Sequence, residues 1–413
     1  MGLAGLAFVL VATLTPVNDP GGLALKTPLL CLVCGDIGGA DVSVNLLLFL
    51  PLALGLRLSG ASWTQTVVAA CLLSLTVELL QLRIVPGRDA SLSDVLTNTT
   101  SGAIGATLAT FLPGLLTPRP SRALVLLVTG LIAVVLLLAG WGWLMGPEVP
   151  RGELLSRWAH RAPGRDVFDG RVEAVRLDGV PMSPNGAPPD SATLRRRLDR
   201  GAFTLEADLV AGRPTRDRLW VYMFRVRSGG ALTLTQLGRQ VGVSLPARAI
   251  RFRLRHPMVT LAEGFPASAG VPVRIVATES GGRIRLDSRY GGGQRSVELQ
   301  RSPAFGWVMF LPFELAAGTG ARWITGLFLA AAFLPLGYWA ARAERPAMVA
   351  GTLAAGLGAA LGLVPAMLRL PPVHWSEWLA SVAGVAAGWA LEALAAYLQS
   401  RCASPSDSEF SSS

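Results

Sequence analysis

Five polar side chains crowd the point where two long apolar runs meet: Glu78, Gln81, Arg88, Asp94 and Asn98, within ELLQLRIVPGRDASLSDVLTN. Glu78 and Asp94 are a carboxylate pair of the kind that does general acid and base work, and Arg88 between them can pair with either. No His or Cys nucleophile accompanies them. Glu78 and Gln81, three residues apart near the end of a helix, share a face. Ser91 and Asp94 form a Ser-x-x-Asp pattern that caps a helix start, and Asn98 follows one turn beyond on the same face. Three uses fit these residues. They can be a polar clasp that caps the second helix and pins it to the first, a pocket for a lipid or glycan head group, or a catalytic pair in Glu78 and Asp94. Hydrocarbon leaves no cheap way to carry unpaired groups of this kind.

The elements that must position them are membrane helices. The chain is 51% hydrophobic and 15% charged, with a mean hydropathy of +0.46, which is far from the balance of a soluble domain. Nearly uncharged runs long enough to cross hydrocarbon recur on both sides of a polar middle. Eight spans are expected, at 2–17, 42–58, 63–82, 93–114, 123–146, 322–341, 347–368 and 375–398. The first lacks a basic leader and an A-x-A-like cleavage site, so it reads as an uncleaved anchor.

The formal charge of +10 carries no nucleic-acid signal. All of the 37 basic residues except Lys26 are Arg, most of them scattered among Asp and Glu over 151–301, with no recognition helix or aromatic-basic stripe. In the short loops, Arg57, Arg119, Arg122, Arg342, Arg345 and Arg401 fall on one side, against Lys26, Arg83, Arg88 and Arg369 on the other. The positive-inside bias therefore places both termini in the cytoplasm, with residues 148–303 and the Glu78–Asn98 stretch outside.

The middle of the chain reads as all-β. In FTLEADLV, Phe203, Leu205, Ala207 and Leu209 alternate with polar neighbours, the period of a half-buried strand. RLWVYMFRVR, ALTLTQL, VGVSLPA, AIRFRLR, PVRIVATES and RIRLDSRY read the same way, and Gly281-Gly282 marks a hairpin turn between the last two. Pro181–Asp190, with four prolines, reads as a loop. Trp220, Tyr222 and Phe224 on one strand can stack on sugar or fill a core. The pattern resembles a concanavalin A-like, laminin G-type jelly roll, which implies carbohydrate or protein ligands at the rim or face of the sandwich.

Outside these stretches, Cys31 and Cys34 form one C-x-x-C in an external loop, a disulfide candidate or two free thiols. One such pair, without a neighbouring His, does not make a zinc site, and neither a metal nor a cofactor is expected. Cys71 and Cys402 read as inert. His160, His256 and His374 are scattered, and only His374 lies near an acid, Glu377. Asn98-Thr99-Thr100 spells a glycosylation sequon but sits at a helix entrance.

Residues 41–105 carry the most specific pattern: Asn45 before an apolar run with Phe49 and Pro51, then Glu78-x-x-Gln81, Arg88, Asp94-x-x-x-Asn98 and Gly105. In order, spacing and apolar setting this resembles the VanZ-like family of membrane proteins. Ala53 and Ser101 stand where the family usually has Gly, and both are small enough for close helix packing. The resemblance implies a multi-pass envelope protein, in a family linked to tolerance of glycopeptide antibiotics such as teicoplanin. It does not supply a reaction.

A weak repeat extends the pattern. Phe333-Leu334-Pro335-Leu336 echoes Phe49-Leu50-Pro51-Leu52; Pro51 and Asp94 are 43 residues apart, and Pro335 and Glu377 are 42 apart. Ser381 and Gly388 then correspond to Asn98 and Gly105, whereas Leu361 stands opposite Glu78. On this comparison Glu78 and Gln81 are the function-specific members, and Asp94 and Asn98 the structural ones. The expected fold is a mixed one, a polytopic α-helical membrane bundle of about eight spans with an inserted extracytoplasmic all-β jelly-roll sandwich. The expected segments are a VanZ-like unit at 1–117, a fifth span at 118–147, the sandwich at 148–320, a degenerate second unit at 321–400 and a disordered tail at 401–413. The expected function is binding of a membrane lipid or lipid-linked envelope precursor through Asn45, Glu78, Gln81, Arg88, Asp94 and Asn98, with cell-wall glycan as a further partner of the sandwich. A membrane enzyme using Glu78 and Asp94, or a transporter, are the alternatives.

Overall fold

The computed structural model of the chain describes residues 2–15, 33, 37–85, 90–159, 168–226, 229–311 and 319–402. Two compact units result, one formed by Met1–Pro113, Leu144–Gln300 and Gly306–Gly318, the other by Gly114–Trp143, Arg301–Phe305 and Thr319–Ser413.

The first unit begins with helices α1 (Gly2–Leu14), α2 (Gly38–Leu48), α3 (Leu50–Leu58), α4 (Trp63–Arg83) and α5 (Leu92–Leu116). α2 and α3 form one apolar run broken at Phe49, because Pro51 has no N–H to give to the preceding turn and the Phe49 N–H folds back onto Leu47 instead. α4 starts in a capping box. Ser62 accepts from the Gln65 N–H, and the Gln65 side chain accepts from the Ser62 N–H. Its burial is inverted relative to a soluble helix. Thr66, Ala70, Ser74, Glu78 and Gln81 face the interior, while Leu72, Leu79 and Leu82 are more than half exposed. Water would penalise that outward face, and lipid tails solvate it.

Among the described residues six helices are long and apolar enough to cross a membrane: Gly38–Leu58, Trp63–Arg83, Pro120–Met145, Ala321–Arg342, Pro346–Met367 and Trp375–Arg401. This is a multi-pass membrane protein. The other two of the eight expected spans are helical but fall outside that set. α1 has 13 residues, about 20 Å at 1.5 Å per residue, short of a hydrocarbon core of about 30 Å. α5 has 25 residues, but Ser93, Asp94, Asn98 and five threonines lower its hydropathy.

The β region of the same unit contains two six-stranded antiparallel sheets. Its strands are β1 (Leu155–Trp158), β2 (Arg171–Leu177), β3 (Val180–Pro181), β4 (Asn185–Gly186), β5 (Phe203–Val210), β6 (Leu219–Val226), β7 (Gly229–Leu237), β8 (Gln240–Ser244), β9 (Met258–Leu261), β10 (Pro272–Ser280), β11 (Arg283–Tyr290) and β12 (Gly293–Gln300). One sheet has the order β4-β1-β6-β7-β8-β9 and the other β12-β11-β10-β5-β2-β3. β5 buries Phe203, Leu205, Ala207 and Leu209 as its alternation predicts. Gly281 and Gly282 both have positive φ, the requirement of a two-residue hairpin turn, and Gly291-Gly292 repeats the device before β12.

One sequence expectation fails here and two are sharpened. AIRFRLR is not a strand; Arg248–Phe252 is a 3-10 turn that ends on a left-handed Arg253. Its buried residues are Ala249 and Leu254, five apart, while Phe252 is half exposed, so the apparent alternation never faces one side. Tyr222 and Phe224 are fully buried core residues, because a bulge after Trp220 puts Val221 and Tyr222 both inward. Burial pushes the Tyr222 phenol well above its ordinary range. The prolines of 181–190 permit only the two-residue pairings of β3 and β4, and α7 (Ser191–Asp199) follows, capped by Asp190 on the Thr193 N–H.

The β region docks on the membrane helices of its own unit. The Gly39 N–H donates to the Arg253 carbonyl at 3.0 Å, and the Arg253 guanidinium donates to the Val33 carbonyl. A Cβ on Gly39 would lie 1.9 Å from the Phe252 oxygen, so the approach needs glycine.

The second unit contains α6 (Pro120–Met145), α8 (Thr319–Arg342), α9 (Pro346–Leu357), a π-helical turn (Gly358–Leu363), α10 (Val364–Met367) and α11 (Trp375–Cys402). The π turn comes just before Pro365, whose missing N–H breaks the regular ladder. Leu127, Leu131, Leu329, Phe333, Leu336 and Leu361 fill its core.

Candidate functional site

In the first unit parts of four helices converge. These are the last turn of α1, the middle of α2, the C-terminal third of α4 and the first turn of α5. Polar side chains join α1 to α4, α4 to α5 and α5 to α2. Glu78 Oε2 accepts from the Ser91 N–H at 2.6 Å, which satisfies a backbone donor at the start of α5. The Ser91 hydroxyl accepts from the Ser93 N–H at 3.1 Å. Ser91 is therefore a cap, as its sequence position suggests. The reciprocal arm of the capping pattern differs, because Glu78 rather than Asp94 takes the Ser91 N–H.

Asp94 points elsewhere. The Asn45 side-chain amide donates to Asp94 Oδ1 at 2.6 Å, a short bond to a carboxylate acceptor that ties α2 to α5. One turn along α5, the Asn98 amide donates to the Ser74 hydroxyl at 3.0 Å, which ties α5 to α4. The Gln81 amide donates to the Thr13 carbonyl at 2.8 Å, which ties α4 to the end of α1. Glu78 and Asp94 lie within electrostatic reach of each other.

Burial sorts the set into two layers. Ser74, Glu78, Gln81, Ser91 and Asn98 are buried, at 0%, 6%, 7%, 9% and 2% exposure, whereas Asn45 and Asp94 are only half-buried. Two atoms in the buried layer, Asn98 Oδ1 and Ser101 Oγ, have no hydrogen-bond partner among the described residues. Of the six sequence-predicted binding residues, the structure brings together Asn45, Glu78, Gln81, Asp94 and Asn98; Arg88 lies outside the described residues, as do Cys31 and Cys34. The sequence reading missed Thr13 and Ser74. Ser74 was within reach of it, since Ser74, Glu78 and Gln81 recur at helical spacing along an otherwise apolar run. Thr13 contributes only a carbonyl, which no side-chain pattern announces.

Close packing brings the helices near enough for these bonds. A Cβ on Gly105 would lie 2.7 Å from the Ala53 Cβ and 3.2 Å from the Leu50 oxygen, so α5 crosses α3 almost backbone to backbone. The pattern of Asn45, Glu78-x-x-Gln81, Asp94-x-x-x-Asn98 and Gly105 is thus one spatial cluster. Residues 11–113 match the VanZ/LLP1 family model. The match takes in every member of the clasp, running from the last turn of α1 to Pro113 within α5. Searches of curated proteins and of solved structures gave no match.

Proposed function

We propose that this chain is a VanZ-like cell-envelope membrane protein that binds the head group of a lipid-linked or lipophilic envelope ligand at the Asn45–Asp94 pair. The observation that carries this reading is the two-layer clasp. A carboxylate and a carboxamide stay only half-buried at the end of the bundle, held in place by a buried layer of Ser74, Glu78, Gln81, Ser91 and Asn98. A head group with hydroxyls and amides finds both an acceptor and a donor there. The buried layer orients them in the way that supporting hydrogen bonds fix any binding group. In this reading the clasp end is extracytoplasmic, the termini are cytoplasmic, and the β region makes contact with glycan or protein outside the cell. Through this binding the protein contributes to tolerance of teicoplanin-type antibiotics.

We further infer that the second unit descends from a copy of the first, with its chemistry lost. Supporting this, Phe333 and Leu336 are buried as Phe49 and Leu52 are. Gly388 makes the close crossing of Gly105, its Cβ position being 2.1 Å from the oxygen of Leu334, the counterpart of Leu50. Leu361, in the place of Glu78, is a core residue. Glu377, in the place of Asp94, accepts from the Ser302 hydroxyl at 2.6 Å.

The test is tolerance in a teicoplanin-sensitive bacterial host. Wild type raises the inhibitory concentration, and Asn45→Ala with Asp94→Ala returns it to the host's level at unchanged protein abundance. Asp94→Asn keeps an acceptor for a bound head group and retains part of the effect. Full tolerance in the double-alanine variant refutes the binding site, and abolition by both Asp94→Asn and Glu78→Gln favours catalysis instead.

A further inference from the structure

The β region holds a cleft of about 850 Å³, within the range of about 300–1,000 Å³ typical of ligand sites. It opens where the end of β1 in one sheet faces the start of β2 and the end of β5 in the other. Its lining includes closely packed backbone at Gly170. Gly170 and Gly212 pass so close that a Cβ on Gly170 would lie 2.2 Å from the Val210 oxygen, and one on Gly212 would lie 2.5 Å from the Gly170 nitrogen.

The walls carry a particular combination. Trp158 offers a half-buried indole. Asp169 presents a carboxylate, with Arg213 Nε at 3.9 Å. The Arg171 and Arg213 side chains are 74% and 85% exposed. Each guanidinium carries five N–H donors, so pairing with one acid, Glu173 for Arg171 and Asp169 for Arg213, leaves donors over. A flat apolar surface, an acceptor for hydroxyl groups and two forked donors suit one ligand chemistry: a pyranose ring that bears a carboxylate.

We propose that this cleft is a saccharide site selective for acidic sugars. The Trp158 ring packs against the sugar face, Asp169 accepts from hydroxyls, and Arg171 and Arg213 hold the carboxylate. The inference deepens the glycan contact suggested for the β region and rests on it. It is independent of the membrane clasp.

The experiment is calorimetric titration of the full chain in detergent with hexagalacturonate and, separately, with maltohexaose. The wild type binds hexagalacturonate and binds maltohexaose at least about ten-fold more weakly, since hydrogen bonds to charged groups carry the difference. Arg171→Ala with Arg213→Ala weakens hexagalacturonate by about ten-fold or more and leaves maltohexaose unchanged, and Trp158→Ala weakens both. If Trp158→Ala fails to fold, the exposed arginine pair still decides. Equal binding of hexagalacturonate by wild type and the arginine variant overturns the cleft while keeping the glycan reading. Equal affinity for both saccharides overturns the selectivity. No binding of either overturns the glycan reading and the inference with it.

Discussion

Truncating both Asn45 and Asp94 to alanine should cost less stability than the two single truncations added together, and the difference measures the bond that presents the proposed binding pair. The amide–carboxylate distance is 2.6 Å and the pair is half-buried. Hydrogen bonds to charged groups contribute about 1.5–3 kcal/mol, whereas cycles within helical membrane proteins average about 0.6 and reach about 1.7 kcal/mol. The ionised acceptor lifts this pair above that average and its partial exposure lowers it below the upper range, so a coupling of about 1–2 kcal/mol is expected. The assay is denaturant unfolding of the full chain in mixed micelles for wild type, Asn45→Ala, Asp94→Ala and the double variant. Asp94→Asn, which retains an acceptor, should recover part of the loss. Strict additivity, within about 0.3 kcal/mol, would show that the two side chains do not support each other, and the clasp as described would be wrong.

Other outcomes follow from the packing. Gly388→Ala places a Cβ 2.1 Å from the Leu334 oxygen and should destabilise the second unit by about 1–3 kcal/mol, whereas Gly351→Ala, with nothing within 4 Å, should be neutral or slightly stabilising in the same unfolding assay. Gln81→Leu removes the donor to the Thr13 carbonyl; a loss of about 1 kcal/mol and faster amide exchange at the end of α1 are expected. Gly39→Ala collides with the Phe252 oxygen, so hydrogen exchange should quicken over 248–255 while the strands of the β region stay protected.

Much of the architecture was legible because its physics is periodic. The edges of the long apolar runs fall within a few residues of the helix ends, and β5, β10 and β11 keep the alternation read from their sequences. β12 escaped because it buries only Leu299, so it has no apolar period to read. AIRFRLR misled because alternation over seven residues says nothing about whether a partner strand is at hand. At the site, residue types and spacing named five of the side chains that meet. Their division into a buried supporting layer and a half-buried pair was not legible, because Glu78 and Asp94 are chemically alike and only the fold decides that Glu78 is spent on a backbone N–H. The repeat comparison ranked Glu78 and Gln81 as the functional members; the burial of both favours a supporting role, which is the reading proposed above.

The most direct test is native mass spectrometry of the full chain extracted gently from bacterial membranes. Wild type should carry a lipid or lipid-linked adduct that is lost when Asn45 and Asp94 are both replaced by alanine, while a control such as Thr76→Ala, whose hydroxyl bonds only its own helix, keeps it. The same adduct at the same occupancy in a folded Asn45→Ala, Asp94→Ala variant would contradict the account.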